Sequence, residues 1–408
     1  MSTITALRRT TPAHSAEPQA APAPAPALLA AITAQLASTA ADHDLSGAFP
    51  QANLHLLQQH GLIGLVVPRN LGGGGASLAT ARSVIAAVAR GEAATALILT
   101  MTYLQHHAIT RADGRWPAPL RARIAADAVR TGALINALRV EPALGSPARG
   151  GLPETVATYS AQGWRIRGHK LYTTGIEGLA WLNVWGRTDE TPPRVGSFLV
   201  PRDAPGIRVI ASWDHLGLRA SGSHEVVFDD VLVPLEHAAD LRAPADWAPG
   251  AGGPAELQAT ATQQAWMVVL LGSLYDAIAR AARDWLVGFL NTRAPGSLNA
   301  PLATLPRAQE HLGEIEALLR TNRVLLDEAA AAVDAGRPPA TVDSGLLKHT
   351  LTSQAIRAVE IALQLSGNHG LTRHNPLERH WRDVQCGRVH TPQDDAVLVA
   401  AGRRALAG

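Results

Sequence analysis

One segment constrains the fold more than any other. From Glu256 to Leu290 the chain runs without a proline and with only isolated glycines, and apolar side chains recur on every turn. Such a run predicts one long helix that must bury itself among others. Two more helical patterns follow. One runs from about Leu305 to Val333, with Leu312, Ile315, Leu319, Asn322 and Leu326 on one side, and another from about Ser344 to Leu365. Long helices with apolar stripes pack against one another, so residues 254–408 read as a helical bundle.

The chain ahead of the bundle divides by pattern. Residues 1–27 are rich in Ala, Pro, Ser and Thr and end in an alternating Ala-Pro run, which reads as a disordered tail. Residues 28–130 carry helical spacing, as in Leu28, Leu29, Ile32 and Leu36, and read as an N-terminal helical domain. The glycines at 72–75 lack phosphate-loop spacing and read as a flexible connection between helices. Residues 131–240 change to short β-branched and aromatic runs between turn signals: Thr155–Tyr159, Trp164–Ile166, Leu171–Thr174, Leu182–Trp185, Ser197–Val200, Ile207–Ala211 and Glu225–Phe228. That spacing predicts a central antiparallel β barrel or sandwich. A Pro/Gly/Ala linker at 241–253 precedes the bundle. The expected fold class is α+β.

Composition excludes several functions. With 36 Lys+Arg against 34 Asp+Glu, the net charge of +2 is too balanced for nucleic acid as the main partner. The longest uninterrupted apolar runs fall short of the roughly 18 residues of a membrane span, so no membrane partner is expected. No apolar segment suggests a secretory signal, although Arg8 and Arg9 faintly suggest a transit peptide. The lone Cys386 forbids an internal disulfide, and a cytoplasmic location is expected. No metal site is expected: the best spacing, His369, His374 and His380, is interrupted by proline. No Gly-x-Ser-x-Gly nucleophile elbow is present.

Four stretches, in order, resemble the acyl-CoA dehydrogenase superfamily. They are Gly64-Leu65-Val66-Val67-Pro68 with its glycines, and Glu141-Pro142-Ala143-Leu144-Gly145-Ser146. The third is Ile166-Arg167-Gly168-His169-Lys170-Leu171-Tyr172-Thr173-Thr174-Gly175, with Leu216–Ser221 and Val226–Pro234 behind it. The last is Gln364-Leu365-Ser366-Gly367-Asn368-His369-Gly370, followed by Pro376-Leu377-Glu378-Arg379 and Arg382-Asp383. The resemblance covers roughly residues 30–405 and implies a flavin, FAD or FMN/FMNH2, between the β domain and the bundle. Hydroxyl and backbone groups of Thr173 and Thr174 suit the edge of a flavin ring, Tyr172 could cover its face, and Ser146 lies in a turn suited to a phosphate. The resemblance further implies that Arg293 reaches the pyrophosphate. It implies that the turn with Gln364, Gly367 and Asn368 completes the cofactor site of a neighbouring subunit, in a homotetramer or homodimer.

The reaction turns on a missing carboxylate. Dehydrogenases of this family use a glutamate to remove the proton alpha to a thioester. Its usual position falls here on Thr391, whose hydroxyl is far too weak a base, and Asp394 and Asp395 could substitute only with a shift of the loop register. In other relatives the glutamate lies on the long helix, here near Thr262-Gln263-Gln264, with Glu256 a couple of turns too early. Nearby stands His390, in a run that resembles the flavin-dependent monooxygenase branch, of the dibenzothiophene monooxygenase or sulfur-assimilation type. Asn136-Ala137 and His106-His107 resemble further parts of that branch. Oxygen activation needs a dry pocket, a hydrogen-bond donor and no strong base. Asn136 would hold the flavin edge, while His107 and His390 would manage protons near neutrality. As ordinary residues, the two adjacent histidines could cap a helix and His390 could simply pack. The favoured expectation is oxygenation of a small substrate with a flavin reductase as partner. The alternatives are an FAD-dependent acyl-CoA dehydrogenase feeding an electron-transfer flavoprotein, and a non-catalytic flavin-binding paralogue.

Overall fold

The computed structural model describes residues 23–111, 114–144, 151–248 and 250–408. Five helices open the chain: α1 (Pro26–Ser46), α2 (Gln51–Gln59), α3 (Leu78–Gly91), α4 (Ala93–Thr110) and α5 (Ala118–Thr131). Helix α1 starts inside the proline run because proline is tolerated in a first helical turn, where its missing N–H has no partner to lose. The glycine stretch is not a loose connection. Gly75 N–H donates to the Val67 carbonyl at 2.8 Å and Ala76 N–H to Leu65 at 3.0 Å. A Cβ on Gly73 would collide with the Val67 carbonyl, so the glycine is there for close backbone approach.

Eight strands follow: β1 (Leu134–Leu138), β2 (Val156–Ser160), β3 (Gly163–Lys170), β4 (Leu179–Thr188), β5 (Val195–Pro201), β6 (Ile207–Ile210), β7 (Glu225–Val233) and β8 (Ala238–Arg242). They form one sheet in the order β6-β7-β3-β2-β4-β5-β8, with β1 beside β4. The sheet is open rather than a closed barrel, and it is mixed, since β1 and β2 both run parallel to β4. Leu171–Thr174 is no strand. Tyr172 takes φ 56°, which breaks the extended backbone directly after Lys170. The expected linker contributes the end of β8 and a helical turn at Pro244–Trp247, whose Trp247 packs edge-on to Trp185 at 4.4 Å.

The bundle is built on α6 (Pro254–Thr292), α7 (Pro306–Asp334) and α8 (Thr341–Ser366), with the short α9 (Asn368–Leu371), α10 (Leu377–Gln385) and α11 (Asp394–Leu406) completing it. Glu256 caps α6 by accepting the Gly253 N–H at 3.0 Å. From Ala265 to Ala279 this helix is buried nearly all round, packed among α3, α4, α7, α8 and α10. Its most apolar window has a mean hydropathy of 1.3, enough in length and composition to cross a membrane, yet 83% of that window is buried within the protein. It is the core helix.

Two adjacent residues of α10 join the three parts. Arg382 donates to both carboxylate oxygens of Asp44 on α1, at 2.8 and 2.5 Å, and to the Leu216 carbonyl at 3.0 Å. Asp383 accepts the Leu218 N–H at 2.6 Å. Gly217 sits between them because a Cβ there would strike the Arg382 carbonyl. Burial is the chief reason the Asp383 carboxyl titrates at about 7. A carboxyl raised in the folded state adds stability below its unfolded pKa of about 4 and loses it as pH rises through 7. Asp383→Asn keeps an acceptor for Leu218 and removes the titration. Between pH 5 and pH 8, urea unfolding should show the wild type losing more stability than the variant.

Candidate functional site

The site is organised by a turn that leaves the sheet after β3. Lys170, at the end of that strand, has no exposed surface. Its Nζ donates to Glu141 Oε1 at 2.7 Å and to the Trp185 carbonyl at 2.5 Å. Glu141 also accepts the N–H groups of Glu154 and Thr155 and the Thr155 hydroxyl, at 2.7, 3.0 and 2.6 Å. Burial lowers the Lys170 pKa to about 8, while the ammonium and these donors hold Glu141 below its usual value against the opposing effect of burial. The pair clamps the start of the turn.

The turn then docks on a second loop. Thr173 N–H donates to the His224 carbonyl at 3.0 Å and Gly175 N–H to the Ser221 carbonyl at 2.8 Å. The Thr174 hydroxyl shares a hydrogen bond with Ser223 at 2.9 Å, and Ser223 another with Ser221 at 2.8 Å. Asn136 Nδ2 donates to the Thr174 carbonyl at 3.1 Å, while its Oδ1 accepts the Ala137 N–H at 2.7 Å. Its carboxamide therefore pins the turn to β1. Tyr172 stands 54% exposed, edge-on to the stacked pair Trp213 and His215, whose rings lie 3.6 Å apart.

These residues fit a flavin. The Thr173 hydroxyl is buried without a partner among the described residues, which costs about 1–3 kcal/mol unless something supplies one. Beside it lie an exposed aromatic face and a constrained turn. Thr173 and Tyr172 are the groups left to meet a ring, whereas Thr174 is committed to Ser223. Ser146 lies outside the described residues. Arg293, exposed at the C-terminus of α6, makes no ion pair among the described residues. Gln364, Gly367 and Asn368 line an open surface groove of about 350 Å³ with Glu360, Leu363 and Leu371. None of the Tyr172–Gly175 turn lines that groove.

The histidines approach from the helices. His107 stacks on Trp266 of α6 at 4.0 Å, with Nδ1 3.2 Å from Gln263 Oε1. Two residues earlier, Gln105 accepts from Asn183, which pairs with Ala137 beside Asn136. His106 turns into the core, where burial lowers its pKa to about 4. His390 places Nδ1 2.5 Å from the Tyr275 hydroxyl, also on α6. Trp266 and Tyr275 are separated by about 14 Å of helix at roughly 1.5 Å per residue, so the two histidines hold different stations along α6. Burial, helped by Lys348, lowers the His390 pKa to about 4. It is neutral at pH 7 and not poised near neutrality as the sequence suggested.

Two carboxylates near the base positions, Asp394 and Glu256, are committed elsewhere. Asp394 faces the buried Lys348 at 2.9 Å. Glu256 caps its helix and pairs with Arg115. Gln263 donates to the Leu104 carbonyl at 3.3 Å and Gln264 to the Thr341 carbonyl at 2.7 Å. Sequence reasoning missed Ser223, Trp213, His215 and Tyr275 as site residues. Tyr275 had no signal, since a tyrosine in a helical stripe reads as core.

Three family models match the chain: the acyl-CoA dehydrogenase N-terminal domain over residues 28–112, the middle domain over 139–231 and the C-terminal domain over 275–394. YdbM of Bacillus subtilis (strain 168) is 33% identical, covering 90% of this chain and 92% of that protein. L-evernosamine nitrososynthase of Micromonospora sp. is 31% identical, covering 92% and 88%. The solved structure of KijD3 with FMN and an amino-keto sugar nucleotide superimposes with a TM-score of 0.81 at 29% identity, covering 94% and 95%.

Thr173→Val removes the orphan hydroxyl without changing shape. The variant should be at least as stable as wild type, and its flavin affinity should fall by roughly tenfold, about one hydrogen bond, in a fluorescence titration. Lys170→Met strands the Glu141 charge and should cost about 3–5 kcal/mol in urea unfolding.

Proposed function

The chain belongs to the acyl-CoA dehydrogenase family, and from that premise we propose that it is a flavin-dependent monooxygenase acting on a small, nitrogen-bearing substrate. One observation carries the reading. At both positions where the family's dehydrogenases hold a catalytic glutamate, this chain offers Thr391 and Gln263-Gln264, and of the nearby carboxylates Asp394 is tied to Lys348 and Glu256 to Arg115. Alpha-proton removal needs a free base in line with the reacting carbon. Oxygen transfer needs the opposite: neutral donors in a site sheltered from water. The similarity to nitrososynthases and to KijD3 supports an amine over a thioester as substrate.

When bound, the flavin would supply the electrons that activate oxygen. The chain's part is to hold and shield. The Tyr172–Gly175 turn, pinned by Asn136, would seat the ring edge. Neutral His390 would present a hydrogen-bond donor, and His107, backed by Trp266, would close the helical side. Arg293 and the groove at Gln364, Gly367 and Asn368 would serve a cofactor shared between subunits of a homo-oligomer. A flavin reductase would supply reducing equivalents. The rival reading, desaturation of an acyl thioester, draws on 27% identity to the bovine short-chain specific acyl-CoA dehydrogenase.

Holoenzyme mixed anaerobically with a panel of acyl-CoA thioesters should keep its oxidised flavin absorbance. Reduced enzyme given oxygen-18 gas and amino-sugar nucleotides should transfer label to the amine product. Bleaching by an acyl-CoA would replace this reading with the dehydrogenase. Neither response would indicate a paralogue without either activity.

A further inference from the structure

The contact between His390 and Tyr275 determines more than position. Tyr275 lies at the centre of α6 with no exposed surface. Among the described residues its hydroxyl has one hydrogen-bond partner, His390 Nδ1, at 2.5 Å. Among the described residues, Nε2 of His390 has none. A hydrogen bond between two neutral groups has two possible senses. If Nδ1–H donated, the phenol hydrogen would be buried without an acceptor, at a cost of about 1–3 kcal/mol. If the phenol donates, its buried hydrogen is used, Nε2–H is not among the buried atoms left unpartnered, and the imidazole lone pair is the better acceptor of the two groups.

We propose that Tyr275 is a positioning residue that locks His390 in the tautomer carrying its hydrogen on Nε2, so that the ring presents a fixed N–H donor. For its consequence in turnover, the proposal rests on the monooxygenase reading; the tautomer itself does not.

The surroundings keep both partners neutral. Lys348 of α8 acts on His390, and Asp383 of α10 with Cys386 after it acts on Tyr275; Lys348 in turn pairs with Asp394 of α11, whose other oxygen lies 3.5 Å from His349 Nδ1. Lys348 and Asp394 neutralise one another across 2.9 Å. Lys348 still disfavours a second positive charge on His390, while Asp383 and Cys386 disfavour a phenolate. The raised Tyr275 pKa and the lowered His390 pKa act together, because the phenol keeps its hydrogen and the ring keeps its acceptor lone pair. A donor locked in this way cannot turn into a base by swapping tautomers, since the swap would break the bond to Tyr275.

The test is nitrogen-15 NMR of histidine-labelled holoenzyme across pH 6–9, with the His390 signals identified by their loss in His390→Asn. The expected result is a single neutral tautomer with hydrogen on Nε2, unchanged over that range. In Tyr275→Phe, which keeps the ring volume, the single-tautomer signature should give way to a mixture. Hydrogen on Nδ1 in the wild type, a charged ring at pH 7, or an unchanged signature in Tyr275→Phe would each overturn the proposal. If the signature is as expected but His390→Asn oxygenates at the wild-type rate, the lock stands and the catalytic use of His390 falls. The wild-type spectrum decides the tautomer even if Tyr275→Phe folds poorly.

Discussion

The architecture depends on one backbone N–H. Leu218, held at φ 53°, gives its N–H to Asp383, and through that bond the sheet is fastened to the bundle. Arg382, one residue earlier, fastens the bundle to α1 through Asp44. Adjacent residues of one short helix thus position three subdomains. The arrangement has a cost, because a carboxyl so deeply buried resists ionising. What it achieves is rigidity where the turn needs it. Ser221, in the same loop as Leu218, accepts from Gly175 and bonds Ser223, which bonds Thr174.

The other end of the turn is fixed by the opposite device. Lys170 and Glu141 are buried as ions: the ammonium donates to the carboxylate and to the Trp185 carbonyl, and the carboxylate also accepts two backbone N–H groups and a hydroxyl. A buried ion pair is seldom a net source of stability, but it tolerates little movement. Between a buried cation and a buried carboxyl, Tyr172–Gly175 is held in a shape its own residues would not choose. Tyr172 at φ 56° is a conformation that an aromatic residue adopts only where its neighbours over-determine it.

Much of this was legible in the sequence. The apolar, proline-free run at Glu256–Leu290 is α6, because a helix hydrophobic all round can only be a core helix. The order of helices, strands and bundle was legible for the same reason. The parallel partners of β4 were not, since local alternation says nothing about which distant strand lies alongside. Leu171–Thr174 read as a strand because leucine, tyrosine and threonine favour one. The hydrogen bonds to Ser221 and His224, tens of residues away, decide otherwise. In the site, the threonines and Asn136 were legible as a group, but not their separate tasks. Asn136 spends its carboxamide on backbone and Thr174 its hydroxyl on Ser223, while the Thr173 hydroxyl finds no partner among the described residues.

The histidines show why residue type alone misleads about chemistry. A histidine near an active centre suggests a proton carrier, because its free pKa lies near neutrality. His390 has lost that property by being drawn into the bundle beside Lys348. What remains is a ring with one nitrogen tied to Tyr275 and the other without a partner among the described residues. With its pKa lowered to about 4, such a group can orient and stabilise but is a weak base. The replacement of glutamate by Thr391 and the suppression of His390 basicity therefore act in the same direction. Each removes a base from the place where this fold otherwise provides one. On the proposed reading, a site without a base there would suit chemistry in which the substrate, not the protein, supplies the nucleophile, as an amine does.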